Sequence, residues 1–342
     1  MKTCIVGASG YTGAELAKLI NQHPHFSLDA LFVSENSQDA NKNLVEIHGH
    51  LNSRVSLLLQ PLTQTRLDTL ADEFDLVFLA TPHEASHDWM PTLLSKRGKV
   101  FDLSGAFRLQ DTQVFAHYYG FEHQHSDVLS HAVYGLAEWY SAEIAKADFV
   151  AVPGCYPTAS LIATKPLAFS ELLDPNHLPV INAVSGVSGA GRKSALSNSF
   201  CEVSLQAYGI LSHRHTPEIS AYLGSDVIFT PHLGNFKRGI LATITCRLKY
   251  GVKTQQIEDA FSSAYADKPM VRMLNSPPKL DNVVNQPYCD LYWQYNPKSG
   301  YVVITSAIDN LLKGAASQAI QCANLRFGFS DTCGLTDGAT SQ

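Results

Sequence analysis

The chain has 342 residues, 45% of them hydrophobic, seven cysteines and a formal net charge of −6. That length predicts two domains, and the acidic balance speaks against a nucleic-acid or anionic-membrane partner. No apolar run is long enough to span a bilayer, and scattered cysteines without a CxxC pair speak against a zinc or other metal site and fit a reducing cytoplasm.

The N-terminus reads directly as a strand, Thr3–Val6, and not as a signal peptide. Gly7-Ala8-Ser9-Gly10-Tyr11-Thr12-Gly13 follows at once, then a helix to about Gln22, stopped by Pro24. The GxxGxxG spacing is a variant of the dinucleotide fingerprint. Gly7 permits the tight turn, Gly10 lets a diphosphate approach the backbone, and Gly13 lets the helix pack on the strand. The helix N-terminus then faces the diphosphate, so Ser9, Tyr11 and Thr12 join the three glycines as cofactor candidates. Ser27–Val33 is the second strand. Beyond it, Glu35 is placed to hold ribose hydroxyls, while Ser34, Ser37 and Lys42 are placed to hold a 2′-phosphate. The residues leave NAD and NADP both open.

Residues 75–80 and 99–103 are two more strands, separated by a helix over 84–96. Strands alternating with helices predict a doubly wound parallel sheet of Rossmann type, over residues 1–150. Arg108 follows the second of these strands and is a candidate clamp for an anionic substrate group.

Next comes Pro153-Gly154-Cys155-Tyr156-Pro157-Thr158. The apolar run 149–152 predicts a strand, and Pro157 suits the first position of a helix from Thr158 to about Phe169. Cys155 then sits at a helix N-terminus, where partial positive charge favours the thiolate. Gly154 leaves the sulfur approachable, which makes Cys155 a candidate covalent nucleophile.

The pattern then changes. Strands at 178–184, 226–229, 240–248, 271–274, 289–295 and 301–305 alternate like half-buried antiparallel strands, and 204–210 reads as extended. These predict an α+β catalytic and dimerisation domain over 151–308, with a mainly antiparallel sheet whose outer face pairs with a second subunit. The loop 185–193 is glycine-rich and carries two cations, which suits an anion. We expect Ser185 and Gly186 on the cofactor, and Ser188, Arg192 and Lys193 on the substrate.

In His213-Arg214-His215-Thr216-Pro217-Glu218, Thr216 reads as a helix cap and Pro217 as the first helical residue. Extended geometry would send His213 and His215 to opposite sides, leaving one to face Cys155. Asp309 caps a helix from 309 to about 326 that returns to the first domain, completing it through about residue 330. Asn310 and Gly314 are expected near the nicotinamide. The last residues, 330–342, read as frayed.

A dinucleotide site, a thiolate, a histidine and a cation for an anionic group suit one reaction type. The thiolate displaces a leaving group from an acyl carbon, hydride reduces the thioester, and an aldehyde leaves. Phosphate as the leaving group explains the cationic loops.

The glycine loop, the PGCYPT segment, Ser185–Gly191, the HRHTPE segment and Asp309–Ala315 together resemble the N-acetyl-gamma-glutamyl-phosphate reductases, essentially end to end. Gly105-Ala106 and Val152 depart from that pattern, where Ala-Asp and Asn are common. The resemblance implies a cytoplasmic homodimer or homotetramer related to aspartate-semialdehyde dehydrogenases. It implies NADP(H) as cofactor, a small acyl phosphate as substrate and inorganic phosphate as product. The register of the related dehydrogenases favours His213 as general acid–base, with His215 second; a nearby thiolate would raise the His213 pKa, and His215 is placed to contact the anionic end of the substrate. Aspartate-semialdehyde dehydrogenase, an acylated aminoadipyl-phosphate reductase and a catalytically silent nucleotide sensor are the alternatives.

Overall fold

The computed structural model describes residues 1–52 and 54–336, arranged as two compact units. The first unit comprises residues 1–116, 121–154 and the stretch from Ala315 onward; the second comprises 117–120 and 155–314.

In chain order the first unit holds β1 (Lys2–Val6), α1 (Tyr11–Gln22), β2 (Ser27–Ser34), α2 (Leu44–Ile47), β3 (Leu59–Leu62), α3 (Gln64–Glu73), β4 (Leu76–Leu79), α4 (His83–Leu94) and β5 (Lys99–Asp102). Then come α5 (Thr112–Tyr119), whose last residues belong to the second unit, α6 (Ser126–Leu129), β6 (Val133–Tyr134), α7 (Ser141–Ile144) and β7 (Phe149–Ala151). The seven strands form one parallel sheet in the order β3-β2-β1-β4-β5-β7-β6. Near-continuous apolar strands such as Leu76–Leu79 follow from burial on both faces. Val6, Phe32, Val77 and Leu79 share a core with Leu67 and Leu70 of α3 and Met90 and Leu93 of α4. Each such side chain contributes roughly 1.5–3 kcal/mol by leaving water. Because β1 lies between β2 and β4, the glycine loop leaves at the point where strand order reverses, the ligand crevice of such sheets.

The second unit holds α8 (Cys155–Phe169), β8 (Val180–Gly186), β9 (Gln206–Ala207), α9 (His215–Leu223), β10 (Ile228–Gly234), β11 (Ile240–Arg247), α10 (Thr254–Tyr265), β12 (Val271–Met273), β13 (Cys289–Asn296) and β14 (Tyr301–Ile308). The sheet order is β12-β13-β14-β11-β8-β10-β9. The β8–β10 and β12–β13 pairs are parallel and the others antiparallel, so the sheet is mixed and mostly antiparallel. Helix α8 is apolar around nearly its whole circumference and packs on β11, β14, α9 and α10. Pro166 lies inside it and cannot donate to Ile162 O; the Tyr265 hydroxyl donates to that carbonyl instead.

Several boundaries differ from the sequence reading. The units divide at 154/155 and 314/315, beyond 150 and 308. Val152 still belongs to the first unit, where its amide bonds Asp102 O and its carbonyl accepts from Arg108. The extended stretch 204–210 shortens to Gln206–Ala207. Asp309 does cap: its Oδ1 accepts from the amides of Leu311 and Leu312. A π-helical turn, Leu312–Ala316, then precedes α11 (Ser317–Arg326) of the first unit. The ending read as frayed is held through Cys333: Asn324 Nδ2 donates to the carbonyls of Asp331 and Cys333. Residues 337–342 lie outside the described part.

Candidate active site

Helix α8 begins at Cys155 itself, earlier than the sequence reading placed it. Pro157 is its third residue, still within the first turn, where amides have no intrahelical partner to lose. Cys155 is half-buried. Cys4 and Cys246 are fully buried, and burial pushes the Cys246 thiol up to about 12. Cys155 opens on a pocket of about 520 Å³ contained in the second unit. Ser185, Gly186, Tyr208, His213, Arg214 and His215 line it with Cys155.

Both histidines line this pocket, against the expectation that one would turn away. The chain is not extended there: it turns into α9, which starts at His215, before Thr216. Arg214 occupies the cap position without a side-chain bond, and Pro217 is the third helical residue. His213 satisfies the helix end instead. Its ring Nδ1 accepts the His215 amide at 3.1 Å, and its carbonyl accepts the Thr216 amide. A ring whose Nδ1 accepts is the neutral tautomer with its proton on Nε2. Burial, then the neighbouring Arg214 charge, lowers the His213 pKa to about 4. This reverses the expected upward shift: the cost of charging a ring packed edge-on against Tyr156, Tyr208 and Phe229 wins.

Most of the other lining residues were missed in the sequence, Tyr156 and Tyr208 among them. Tyr118 comes from the short segment 117–120, distant in the chain. Gln206 sits on β9, whose only signal was an extended pattern. Arg214 is the cation at this pocket, whereas the predicted Arg192 and Lys193 are exposed and are not among its lining residues.

The loop from Ser185 differs from an anion nest. The amides of Gly186, Val187 and Ser188 donate to Gly239, Phe236 and Lys237 carbonyls. Gly186 is required by close packing, since a Cβ there would lie 2.6 Å from Arg238 N. Asn310 braces the loop. Its Oδ1 accepts from Gly239 N at 2.6 Å and its Nδ2 donates to Ser188 Oγ at 2.9 Å.

In the first unit, Gly7 has φ +85°, and a Cβ there would meet Ala80 O at 2.2 Å. A Cβ on Gly13 would meet Gly7 O at 2.5 Å. Both glycines are required by the fold. Gly10 is different: its Cβ direction meets only Gly7 O, at 3.5 Å, so the protein itself does not demand glycine there. Open space before a helix N-terminus suits a coenzyme diphosphate. His48 Nε2 donates to Ser9 O at 2.9 Å and holds the loop, with Tyr11 edge-on to its ring; Thr12 is the second residue of α1. Ser34 and Glu35 are exposed at the end of β2. Ser37 Oγ accepts from the Asp39 amide, and Lys42 pairs with Asp39 at 3.6 Å.

Arg108 is buried, against its reading as a substrate clamp. Its Nε donates to Val152 O at 2.8 Å and a terminal nitrogen to Leu103 O at 2.7 Å, so the guanidinium braces the segment leading to Cys155. Among the described residues one group, His87, Asp88 and His125, has metal-ligand spacing. However, His87 Nε2 accepts from the Gln124 amide, which puts the ring proton on Nδ1, facing Asp88. That proton occupies the lone-pair position a cation would need.

Comparison with known proteins is consistent along the whole chain. Residues 2–147 match the model of the semialdehyde dehydrogenase NAD binding domain, and 155–310 that of the semialdehyde dehydrogenase dimerisation domain. The N-acetyl-gamma-glutamyl-phosphate reductase of Pseudoalteromonas atlantica is 64% identical over 98% of both chains. That of Pasteurella multocida is 58% identical over 98% of this chain and 99% of its own. Among solved structures, aspartate semialdehyde dehydrogenase II from Vibrio cholerae aligns with a TM-score of 0.71 at 14% identity, covering 96% of this chain and 98% of that one. At that identity the likeness is one of fold. No helix among the described residues is long and apolar enough to cross a membrane.

Proposed function

The chain belongs to the N-acetyl-gamma-glutamyl-phosphate reductase family, and we propose that it reduces N-acetyl-L-glutamyl 5-phosphate to N-acetyl-L-glutamate 5-semialdehyde and inorganic phosphate in arginine biosynthesis. One observation carries this reading: Cys155 begins α8 and lines one pocket with His213 and Arg214. We assign coenzyme binding to the first unit and the covalent chemistry to the second. The preferred coenzyme is NADPH, the compartment the cytoplasm, and the assembly a homodimer or homotetramer.

Gly7, Gly10 and Gly13, with Ser9, Tyr11 and Thr12, cradle the diphosphate at the start of α1. Ser34 and Ser37 take the 2′-phosphate. The bound coenzyme supplies the hydride. Cys155 Sγ attacks the acyl carbon, a C–S bond forms, and the C–O bond to phosphate breaks. Arg214 offsets the charge of the departing phosphate. After reduction the tetrahedral oxyanion collapses, the C–S bond breaks, and the aldehyde leaves with the thiolate restored. The reaction takes up one proton, which the departing phosphate gains as its C–O bond breaks, whereas the tetrahedral oxyanion collapses without one. His213 therefore acts as a neutral donor from Nε2 to the developing oxyanion, the form its Nδ1 bond fixes. His215 contacts the substrate from the same pocket. Arg108 and Asn310 are positioning residues for the segments they bond.

The test is phosphate-dependent reduction of NADP by a panel of semialdehydes: N-acetylglutamate, aspartate and N-acyl-aminoadipate. The N-acetylglutamate compound should be preferred, and Cys155→Ser should bind coenzyme normally while losing turnover by several orders of magnitude. Preference for another semialdehyde, or near-normal turnover by Cys155→Ser, would overturn the assignment.

A further inference from the structure

We propose that Gln206 and Tyr208 read the acylamino group of the substrate and so exclude a free amine; this rests on the reading above. The two residues lie two apart on and beside β9, so their side chains project from the same face, and both line the Cys155 pocket while Ala207 between them does not. Strand β9 is fixed by its antiparallel pairing with β10, where Gln206 stands opposite Leu233, another lining residue.

The hydrogen-bond chain behind Tyr208 sets its polarity. Tyr156 Oη lies 3.0 Å from His232 O, a carbonyl that only accepts, so Tyr156 donates its one proton there. Tyr208 Oη then donates to Tyr156 Oη at 3.3 Å. With its proton spent, the Tyr208 oxygen offers the pocket lone pairs alone. Gln206 offers both an N–H donor and a carbonyl acceptor. An N-acyl group is complementary: its N–H finds Tyr208 Oη or the Gln206 carbonyl, and its C=O finds the Gln206 amide nitrogen.

A free α-ammonium fits poorly. It has donors only and carries a charge that needs a carboxylate. Among the described lining residues there is no Asp or Glu, while Arg214 adds positive charge. The pocket chemistry thus selects an anion whose amine is capped and neutral.

Direct binding separates this proposal from the reaction it rests on. In titration calorimetry the wild-type protein should bind N-acetyl-L-glutamate at least tenfold more tightly than L-glutamate. Gln206→Ala and Tyr208→Phe should each weaken N-acetyl-L-glutamate by roughly three- to tenfold, the value of one hydrogen bond. Neither should change L-glutamate binding or coenzyme affinity. Gln206→Glu should narrow or invert the preference by supplying the missing carboxylate. Gln206 is exposed, so its variants should fold, which thermal unfolding will check. Unchanged preference in all three variants overturns the proposal. A failed semialdehyde panel with preserved variant effects would overturn the reaction and leave the acyl-reading assignment standing.

Discussion

A methyl group on residue 314 would lie 2.8 Å from the Cβ of Cys155 and 3.2 Å from its Cα. Contacts that short do not persist, so either Cys155 or the π-helical turn carrying Gly314 must move. The turn is bound on its N-terminal side by the buried Asp309, which pairs with Arg238 and caps two amides. Either movement shifts the sulfur relative to the pocket it opens on. Gly314→Ala should therefore displace the sulfur and lower turnover by about ten- to a hundredfold, as misplacement by a fraction of an ångström does in a positioned site. The rate of Cys155 alkylation by iodoacetamide, compared with turnover, checks this. Equal alkylation and equal turnover in wild type and variant would refute the idea that Gly314 positions the nucleophile. Sequence reading had assigned Gly314 to the nicotinamide end. Its smallness was legible, but the partner it makes room for was not, because that partner lies far away in the chain.

At the scale of elements, the glycine loop separates a need of the fold from a need of the ligand. Gly13→Ala sets a Cβ 2.5 Å from Gly7 O and should destabilise the protein by roughly 1–3 kcal/mol, the cost of overpacking. Gly10→Val meets nothing closer than 3.5 Å at its Cβ and should fold. It should instead lose coenzyme affinity, measured by fluorescence titration with NADPH. Unimpaired coenzyme binding by Gly10→Val would move the diphosphate away from this loop. Signals of this kind were legible in the sequence because they are local: a strand, a turn, a helix start, and the cysteine on its short PGC turn. The alternation was legible for the same reason at β1, β2, β4, β5 and β7 with α1 and α4, whereas β3, α3, α5 and β6 carried no pattern strong enough to be read. Tyr118 and Gln206 were not, since only tertiary packing brings segments 117–120 and 206–207 to α8. Arg108 was read as a clamp because a guanidinium after a strand end looks ligand-facing. Two backbone carbonyls take it instead. The start of α9 was misplaced because Thr216-Pro217 carries a strong local cap signal, and a ring nitrogen two residues earlier overrides it.

Across the whole molecule one device recurs with three His-x-His segments. His23 Nδ1 accepts the amides of His25 and Phe26, His123 Nδ1 accepts that of His125, and His213 Nδ1 accepts that of His215. In each the first ring must be neutral to serve. On the far nitrogen, His23 donates to Asn324 Oδ1 and His123 to Ala106 O. Burial lowers all three pKa values, with His123 and His213 reaching about 4. An unfolded histidine titrates near 6.5. Below that pH the unfolded chain binds protons that the native rings refuse, so their contribution to stability is full above about pH 6.5 and is lost as pH falls toward 4. Asp102 acts in the opposite sense, because burial raises its pKa and acid relieves the cost of its charge. Glu73, Asp148 and Asp174, lowered by their hydrogen-bond partners, also lose stability in acid but only below the usual carboxylate range, so between pH 7.5 and 4.5 the rings dominate and the net effect should be acid loss. Urea unfolding midpoints at pH 7.5, 5.5 and 4.5 should fall progressively. The double variant His23→Asn, His123→Asn keeps an oxygen acceptor near each Nδ1 position but cannot titrate there. It should start lower at pH 7.5, through lost packing, and then fall less steeply than wild type. A parallel decline of the two proteins would show that acid unfolding runs through other groups.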